Sequence, residues 1–193
     1  MAEALPVTTV ILAGGQGSRM GGDKGLKQLR GRRLVAWVVA ALQPQGTQIV
    51  ISANDNAAAY ADLGYPVIAD LIPGYAGPLA GVQAALQYCS NEWVASVPCD
   101  TPFLPQDLIA RLLAAAGEAD AAVAVVRGRR QPTIALYRKR VLPALSRYLE
   151  SGGRKVGDWL AALNTREAVF DDEQAFFNIN SLEELSAANR VRQ

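Results

Sequence analysis

"VTTVILAGGQGSRMGGDKG", residues 7 to 25, joins a short β-branched apolar run to a glycine-rich turn, and the fold follows from that junction. From Gly14 to Gly25 there are six glycines in twelve positions, with Arg19, Asp23 and Lys24 among them. A turn of this kind directly after a strand lets backbone N–H groups converge on phosphate oxygens, because no Cβ blocks the approach and several residues can take positive φ. Arg19 and Lys24 add charge, one as a planar fork and the other as a point cation. Two familiar phosphate loops do not fit. The Walker pattern needs Gly-Lys followed by Ser or Thr, whereas Lys24 lies between Asp23 and Gly25, and Gly15, Gly17 and Met20 break the dinucleotide fingerprint. A flexible surface loop is the competing reading, and the position after the first strand weighs against it.

Working outward, Val- and Ile-rich runs alternate with alanine-rich segments, the pattern of βαβ units around a mainly parallel sheet. Strands are expected at 7–12, 48–53, 66–69, 93–97, 121–126 and 133–137. Helical periodicity falls at 34–43, 57–64, 78–89 and 106–117, with Pro78 and Pro105 at helix starts. Ser181 and Glu184 have capping-box spacing for a last helix. The fold class expected is an α/β, Rossmann-like open sheet flanked by helices. One domain over 1–193 is expected, with 7–116 binding nucleotide and 117–193 facing an acceptor or partner.

Composition narrows the chemistry. Histidine is absent from all 193 residues, which removes Ser/His/Asp and Cys/His nucleophile systems, His-based zinc sites and any histidine general base. The net charge of +1 argues against a nucleic-acid binder. Residues 127 to 155 nevertheless hold nine Arg or Lys against the single acid Glu150, a stretch that reads either as an anion site or as a solvated basic face. Cys89 and Cys99 build no disulfide framework or zinc spacing and are read as thiols of a reducing, cytoplasmic compartment. Neither a signal peptide nor a membrane span is expected.

Ligands of an open parallel sheet bind beyond the carboxyl ends of its strands. Three loops there stand out: Ala13 to Gly25, Asp70 to Gly77, and Pro98 to Pro105. Asp100, just past the fourth expected strand, suits Mg²⁺, which takes one or two carboxylates plus substrate phosphates. It could equally cap a turn stiffened by Pro98, Pro102 and Pro105, and Asp70 poses the same choice. Together the loops offer glycine amides, two cations and two carboxylates, the equipment of metal-assisted phosphate chemistry. Cys99 reads as a small buried residue rather than a reactive thiol.

In this order and at similar spacing, "VILAGGQGSRMGGDKGL", "GPLAGVQAAL", "VPCDTPFLP", "QPTIALY" and "FFNINSLEEL" resemble the molybdenum cofactor guanylyltransferases over nearly the whole chain. The first element alone would indicate only a nucleotidyltransferase of the wider glycosyltransferase-A-like group; the five together are specific. The resemblance implies transfer of GMP from GTP to the terminal phosphate of molybdenum-bearing molybdopterin, with release of pyrophosphate. It implies that Leu12, Ala13 and Gly14 meet the guanine nucleotide, that Lys24 contacts its phosphates, that Asp70 lies beside it and that Asp100 binds Mg²⁺. Gly15, Arg19 and Gly22 match the family's loop, Gly77 and Gly81 its "GPLAG" element, and Asn178 and Asn180 its late N-x-N. Some members have Asn where this chain has Ser52, with a second Asn at the position of Asn54.

A phosphate monoester as nucleophile is already largely anionic and needs no general base, which accounts for a chain without histidine. On this reading Asp100 and its Mg²⁺ serve the α-phosphate region, and Arg19, Lys24 and the loop amides serve the β- and γ-phosphates. Arg127, Arg129, Arg130, Arg154 and Lys155, with Asn178 and Asn180, are assigned to the acceptor side. Contacts with molybdenum-insertion proteins and acceptor apoenzymes are implied by the resemblance alone. The rivals are a cytidylyltransferase on the same cofactor, another nucleotidyltransferase, and a non-catalytic module that grips a nucleotide or the finished cofactor. The "LAGG" form favours guanine, since cytidylyl relatives tend to read "LAAG".

Overall fold

A computed structural model describes residues 5–15, 23–74 and 76–190. The first apolar run is β1 (Val7–Leu12), and Val7, Val10 and Ile11 are wholly buried. Burial on both faces is typical of a strand in a parallel sheet, and β1 lies between β4 (Gln48–Ser52) and β6 (Trp93–Pro98), parallel to both. Outside β4 runs the two-residue β5 (Val67–Ile68), also parallel. On the other side β8 (Arg129–Arg138) pairs antiparallel with β6 and with β7 (Ala121–Val126), and β9 (Thr165–Phe170) closes the edge parallel to β7. The order is β5-β4-β1-β6-β8-β7-β9, so one mainly parallel sheet draws strands from both 7–116 and 117–193.

Both faces of the sheet are packed. α1 (Leu34–Leu42) and α4 (Leu108–Ala116) cover one through Val35, Val38, Leu42, Leu108 and Leu112, against Val7, Ile11 and Ile51. α3 (Pro78–Tyr88), α5 (Leu142–Glu150) and α6 (Val156–Ala162) cover the other through Leu79, Val82, Leu86, Leu145, Leu149 and Trp159, against Val10, Val50 and Tyr137. The short α2 (Ala57–Ala61) follows β4 and sends Tyr60 into the first core. A separate two-stranded ribbon, β2 (Gln28–Leu29) and β3 (Arg32–Arg33), packs through Leu29 on Ile179 and on Leu185 of α7 (Leu182–Arg190).

The sequence reading placed six strands and five helices near their observed positions but missed the ribbon, β9, α5 and α6. In β9 only Ala168 and Phe170 are buried among charged neighbours, too short an alternation to read. In α5 the buried Leu145 and Leu149 do have helical i,i+4 spacing, hidden in a stretch read mainly for its charge. α2 stops at Ala61 rather than near Gly64, and α4 begins at Leu108, with Pro105 in the preceding turn, where its carbonyl accepts from Leu108 N–H. β8 is also longer than expected, because Arg127 and Gly128 at φ 48° and 73° form a tight turn that carries pairing to the tip of the β7–β8 hairpin. The expected capping box is present: Ser181 Oγ accepts from Glu184 N–H, and Glu184 Oε2 accepts from Ser181 N–H, each at 3.1 Å.

Candidate active site

Because β5, β4, β1 and β6 run parallel, their carboxyl ends reach one edge, and the loops singled out from the sequence converge there. Ala13 N–H donates to Ser52 O at 2.8 Å, Ala53 N–H to Ile68 O at 2.9 Å and Cys99 N–H to Leu12 O at 3.1 Å, so the strand ends are knitted together before the loops diverge.

The first of two polar clusters surrounds Asp70. Its carboxylate accepts from Ser52 Oγ at 3.3 Å and from Asn54 Nδ2 at 2.8 Å, while its own N–H donates to Asn54 Oδ1 at 2.9 Å. Gly81 brings α3 against this cluster: a Cβ there would stand 2.6 Å from Ser52 Oγ and 2.8 Å from Leu12 Cδ2, which only glycine avoids. Gly14 lies on the other side, where a Cβ would be 3.3 Å from Asn54 Nδ2. Leu12, Ala13, Gly14, Asp70 and Gly81 are therefore one neighbourhood, and Gly15 continues exposed from it. Gly77, at φ 86°, turns the chain into α3, with Pro78 at the first helical turn.

The second cluster is built on Asp100, which is 7% exposed. Lys24 Nζ lies 3.5 Å from Asp100 Oδ2 and donates to Asn180 Oδ1 at 3.0 Å. Asp100 O accepts from Ile179 N–H at 2.9 Å, and the buried Thr101 Oγ1 donates to Asn178 Oδ1 at 2.5 Å. Glu184 Oε2 fixes Asn180 from behind, accepting from its N–H at 2.6 Å. Burial raises the Asp100 pKa above the ordinary carboxylate value, and the Lys24 ammonium pulls it back. Asp100 Oδ1 is buried without a hydrogen-bond partner. A desolvated carboxylate oxygen with no donor on it is fit for a cation ligand, and a single carboxylate accords with Mg²⁺ taking its other ligands from phosphates and water. No cluster of three or more His, Cys, Asp or Glu that could cage a metal occurs among the described residues.

Asn178 and Asn180, assigned from sequence to the acceptor side, thus meet the Asp100 loop and Lys24. The expected basic stretch is divided between two elements. Arg127, Arg129 and Arg130 lie on the β7–β8 hairpin, whose tip is at the same sheet edge; Arg127 Nε pairs with Glu173 at 3.1 Å and Arg130 Nε with Glu167 at 2.7 Å. Arg154 Nη1 donates to Leu149 O at 2.7 Å and Gly153 O at 2.6 Å, closing the end of α5, and Lys155 precedes α6 with its carbonyl accepting from Tyr148 OH. Arg154 O stands 3.9 Å from where a Gly77 Cβ would be, so this second group adjoins the entry to α3. Arg19 and Gly22 lie outside the described residues. Cys99 is buried, and desolvation with the adjacent Asp100 charge pushes its thiol pKa far up, which keeps it protonated and inert.

Asn54, Thr101 and the Asp23–Tyr60 contact were not singled out from the sequence as site residues. Applying the strand-end rule to the fourth parallel loop, "SANDN" after β4, would have found Asn54; Tyr60 is an aromatic in an alanine-rich helix and reads as core.

The family model described as the MobA-like NTP transferase domain matches residues 9–166. The chain is 48% identical over 187 residues to a molybdenum cofactor guanylyltransferase of Cupriavidus necator, covering 93% of this chain and 94% of that protein. It is 44% identical over 191 residues to the enzyme of the same name from Ralstonia pickettii, again covering 93% and 94%. Among solved structures, molybdopterin-guanine dinucleotide biosynthesis protein A from Archaeoglobus fulgidus superposes with a TM-score of 0.79 at 29% identity, over 94% of this chain and 96% of that one. The fold alone extends to 2-C-methyl-D-erythritol 4-phosphate cytidylyltransferase from Thermus thermophilus, with a TM-score of 0.71 at 22% identity over 97% and 98% of the two chains. With the family model spanning most of the chain and curated relatives nearly half identical along almost their full length, the chain belongs to the MobA-like NTP transferases, among the molybdenum cofactor guanylyltransferases.

Proposed function

We propose that this protein transfers GMP from GTP to the terminal phosphate of molybdenum-bearing molybdopterin. An oxygen of the acceptor phosphate bonds to the α-phosphorus, the bond from that phosphorus to the β-bridging oxygen breaks, and pyrophosphate leaves with the electron pair. The observation that carries this reading is the Lys24–Asp100 pair beside the Asp70 cluster, with one Asp100 oxygen buried and unpartnered.

The Asp70 cluster suits the guanosine. Leu12, Ala13 and Gly14 bring backbone close to it, and the Asp70 carboxylate accepts hydrogen bonds, matching the donors that guanine and ribose present. Lys24 and the amides at Gly14 and Gly15, with Arg19 and Gly22, serve the triphosphate. Asp100 would hold Mg²⁺, whose chemistry when bound is to neutralise charge on the reacting phosphates. The acceptor brings its own anionic nucleophile, so the protein has to align two polyanions and relieve their repulsion rather than remove a proton. Arg127, Arg129 and Arg130 on one side of the sheet edge and Arg154 and Lys155 beside α3 are placed to attract that second polyanion. Asn178 and Asn180 hold the Asp100 loop and Lys24 between the two substrates.

The two buried free thiols suit a reducing cytoplasm, where we place the reaction, and no described helix is long and apolar enough to cross a membrane. Delivery onward to molybdenum-insertion proteins or apoenzymes follows from the product. Turnover with molybdopterin and Mg²⁺, offering each nucleoside triphosphate in turn, tests the proposal. Pyrophosphate release is expected with GTP, and equal or faster release with CTP would overturn the guanylyl assignment.

A further inference from the structure

Lys24 sits where the chain leaves the glycine-rich stretch, and the two residues that flank it are gripped from α2. The Asp23 carboxylate accepts from the Gly25 N–H at 3.2 Å and from Asn56 Nδ2 at 3.4 Å, and the Tyr60 hydroxyl donates a short hydrogen bond to Asp23 Oδ1. The same hydroxyl oxygen lies 2.5 Å from where a Gly25 Cβ would stand, so position 25 needs glycine for the phenol to reach past it. Tyr60 is wholly buried. A buried phenol left without an acceptor is costly, and this one's acceptor is a carboxylate on the turn that carries Lys24. Desolvation first, then the neighbouring Cys99 and Asp23, push the phenol pKa far above its usual range, so the group remains a donor across the whole working range of pH.

We propose that Tyr60 is a positioning residue for Lys24: acting through Asp23, its hydroxyl fixes the turn so that the Lys24 ammonium stands beside Asp100 and Asn180, ready for the triphosphate. The segment 52–60 then serves both substrate-binding clusters. Ser52 and Asn54 hold Asp70, whereas Asn56 and Tyr60 hold Asp23. Removing the hydroxyl should therefore weaken the phosphate side and leave the nucleoside side as it is. The inference rests on the reading that Lys24 binds phosphate, which needs its own control.

Tyr60→Phe keeps the ring in the core and deletes only the hydroxyl. Calorimetric titration of the full chain should show the Kd for GTP with Mg²⁺ rising about three- to tenfold, the scale of the net contribution of one hydrogen bond. The Kd for guanosine should stay within about twofold, since no contact of Ser52, Asn54 or Asp70 changes. Asp23→Ala, which keeps every core side chain but takes the acceptor from Tyr60, should reproduce the same split, and the double variant should lose no more than the worse single one. Parental GTP affinity in Tyr60→Phe, equal losses for GTP and guanosine, or additive losses in the double variant would each overturn the proposal. Lys24→Ala separates the two readings: a loss of GTP affinity there with none in Tyr60→Phe removes only the positioning role, and no loss there removes the phosphate role and everything built on it.

Discussion

The sheet has two halves of different character. In β5-β4-β1-β6 every strand runs the same way, and each delivers a loop to the same edge, where Asp70, Asp100, Lys24 and the glycine approaches are found. In β8-β7-β9 one strand is reversed and joined to its neighbour by a two-residue turn, which leaves no loop long enough to build a pocket. At the hairpin tip of that half, the exposed Arg127 and Arg130 are engaged with Glu173 and Glu167. Parallel topology gathers chemistry because it repeats one edge; the hairpin spends most of its length on the core and brings charge to that edge at its tip. The far half also reaches the Asp100 loop through the chain after β9, which passes Glu173 and arrives at Asn178 and Asn180.

The sharpest way to break this contrast is at Asp100. Asp100→Asn should fold and lose transfer by about a hundredfold or more, on the scale of removing a charge-stabilising group from a reacting phosphate. Because burial raises the folded-state pKa of Asp100, ionising it costs stability as pH rises through the carboxylate range. The variant should consequently melt no lower than the parent at neutral pH, and any advantage should vanish in acid where Asp100 is protonated. Thermal melts across pH together with pyrophosphate release check both halves of the statement; a folded variant with parental turnover would remove Asp100 from the mechanism.

Gly81→Ala probes the packing side of the same half. The added methyl would overlap Ser52 Oγ and Leu12 Cδ2, so α3 or the end of β1 must shift, costing about 1–3 kcal/mol and weakening guanosine binding severalfold. Denaturant melts and nucleoside titration would show it. The smallest effect is expected in the other half. Arg130→Ala removes an exposed pair whose contribution to stability is about 0–1 kcal/mol, so the melting point should barely move and the KM for GTP should hold. On the proposed acceptor role of Arg130 the KM for molybdopterin should rise; an unchanged acceptor KM would return the hairpin arginines to the solvated face.

The parallel half was the legible one. An apolar strand followed by glycines, prolines and a carboxylate carries its own direction, so β1, β6 and their loops, Lys24, Asp70 and Asp100 could be placed from the sequence. What escaped was set by tertiary contact. β9 has only two buried side chains and becomes a strand by pairing with β7. The basic stretch looked continuous along the chain but falls on two separate elements, since β8 turns back between Arg130 and Arg154. Asn178 and Asn180 were recognisable as a motif, yet nothing in their spacing says that they meet residues 77 and 156 positions away.

That last separation matters during synthesis. Lys24 leaves the ribosome well before its partner Asn180, which follows 156 positions later, after β9 has already been made. A nascent chain can therefore have the whole seven-stranded sheet available while the Lys24–Asp100 end of the site still lacks its clasp. Premature termination just beyond Phe170 would yield a body that keeps the Asp70 cluster but leaves Lys24 without Asn180 and the Asp100 loop without Asn178 and Ile179. Completion of the Lys24–Asp100 cluster is thus tied to the arrival of the segment that carries Asn178, Ile179 and Asn180.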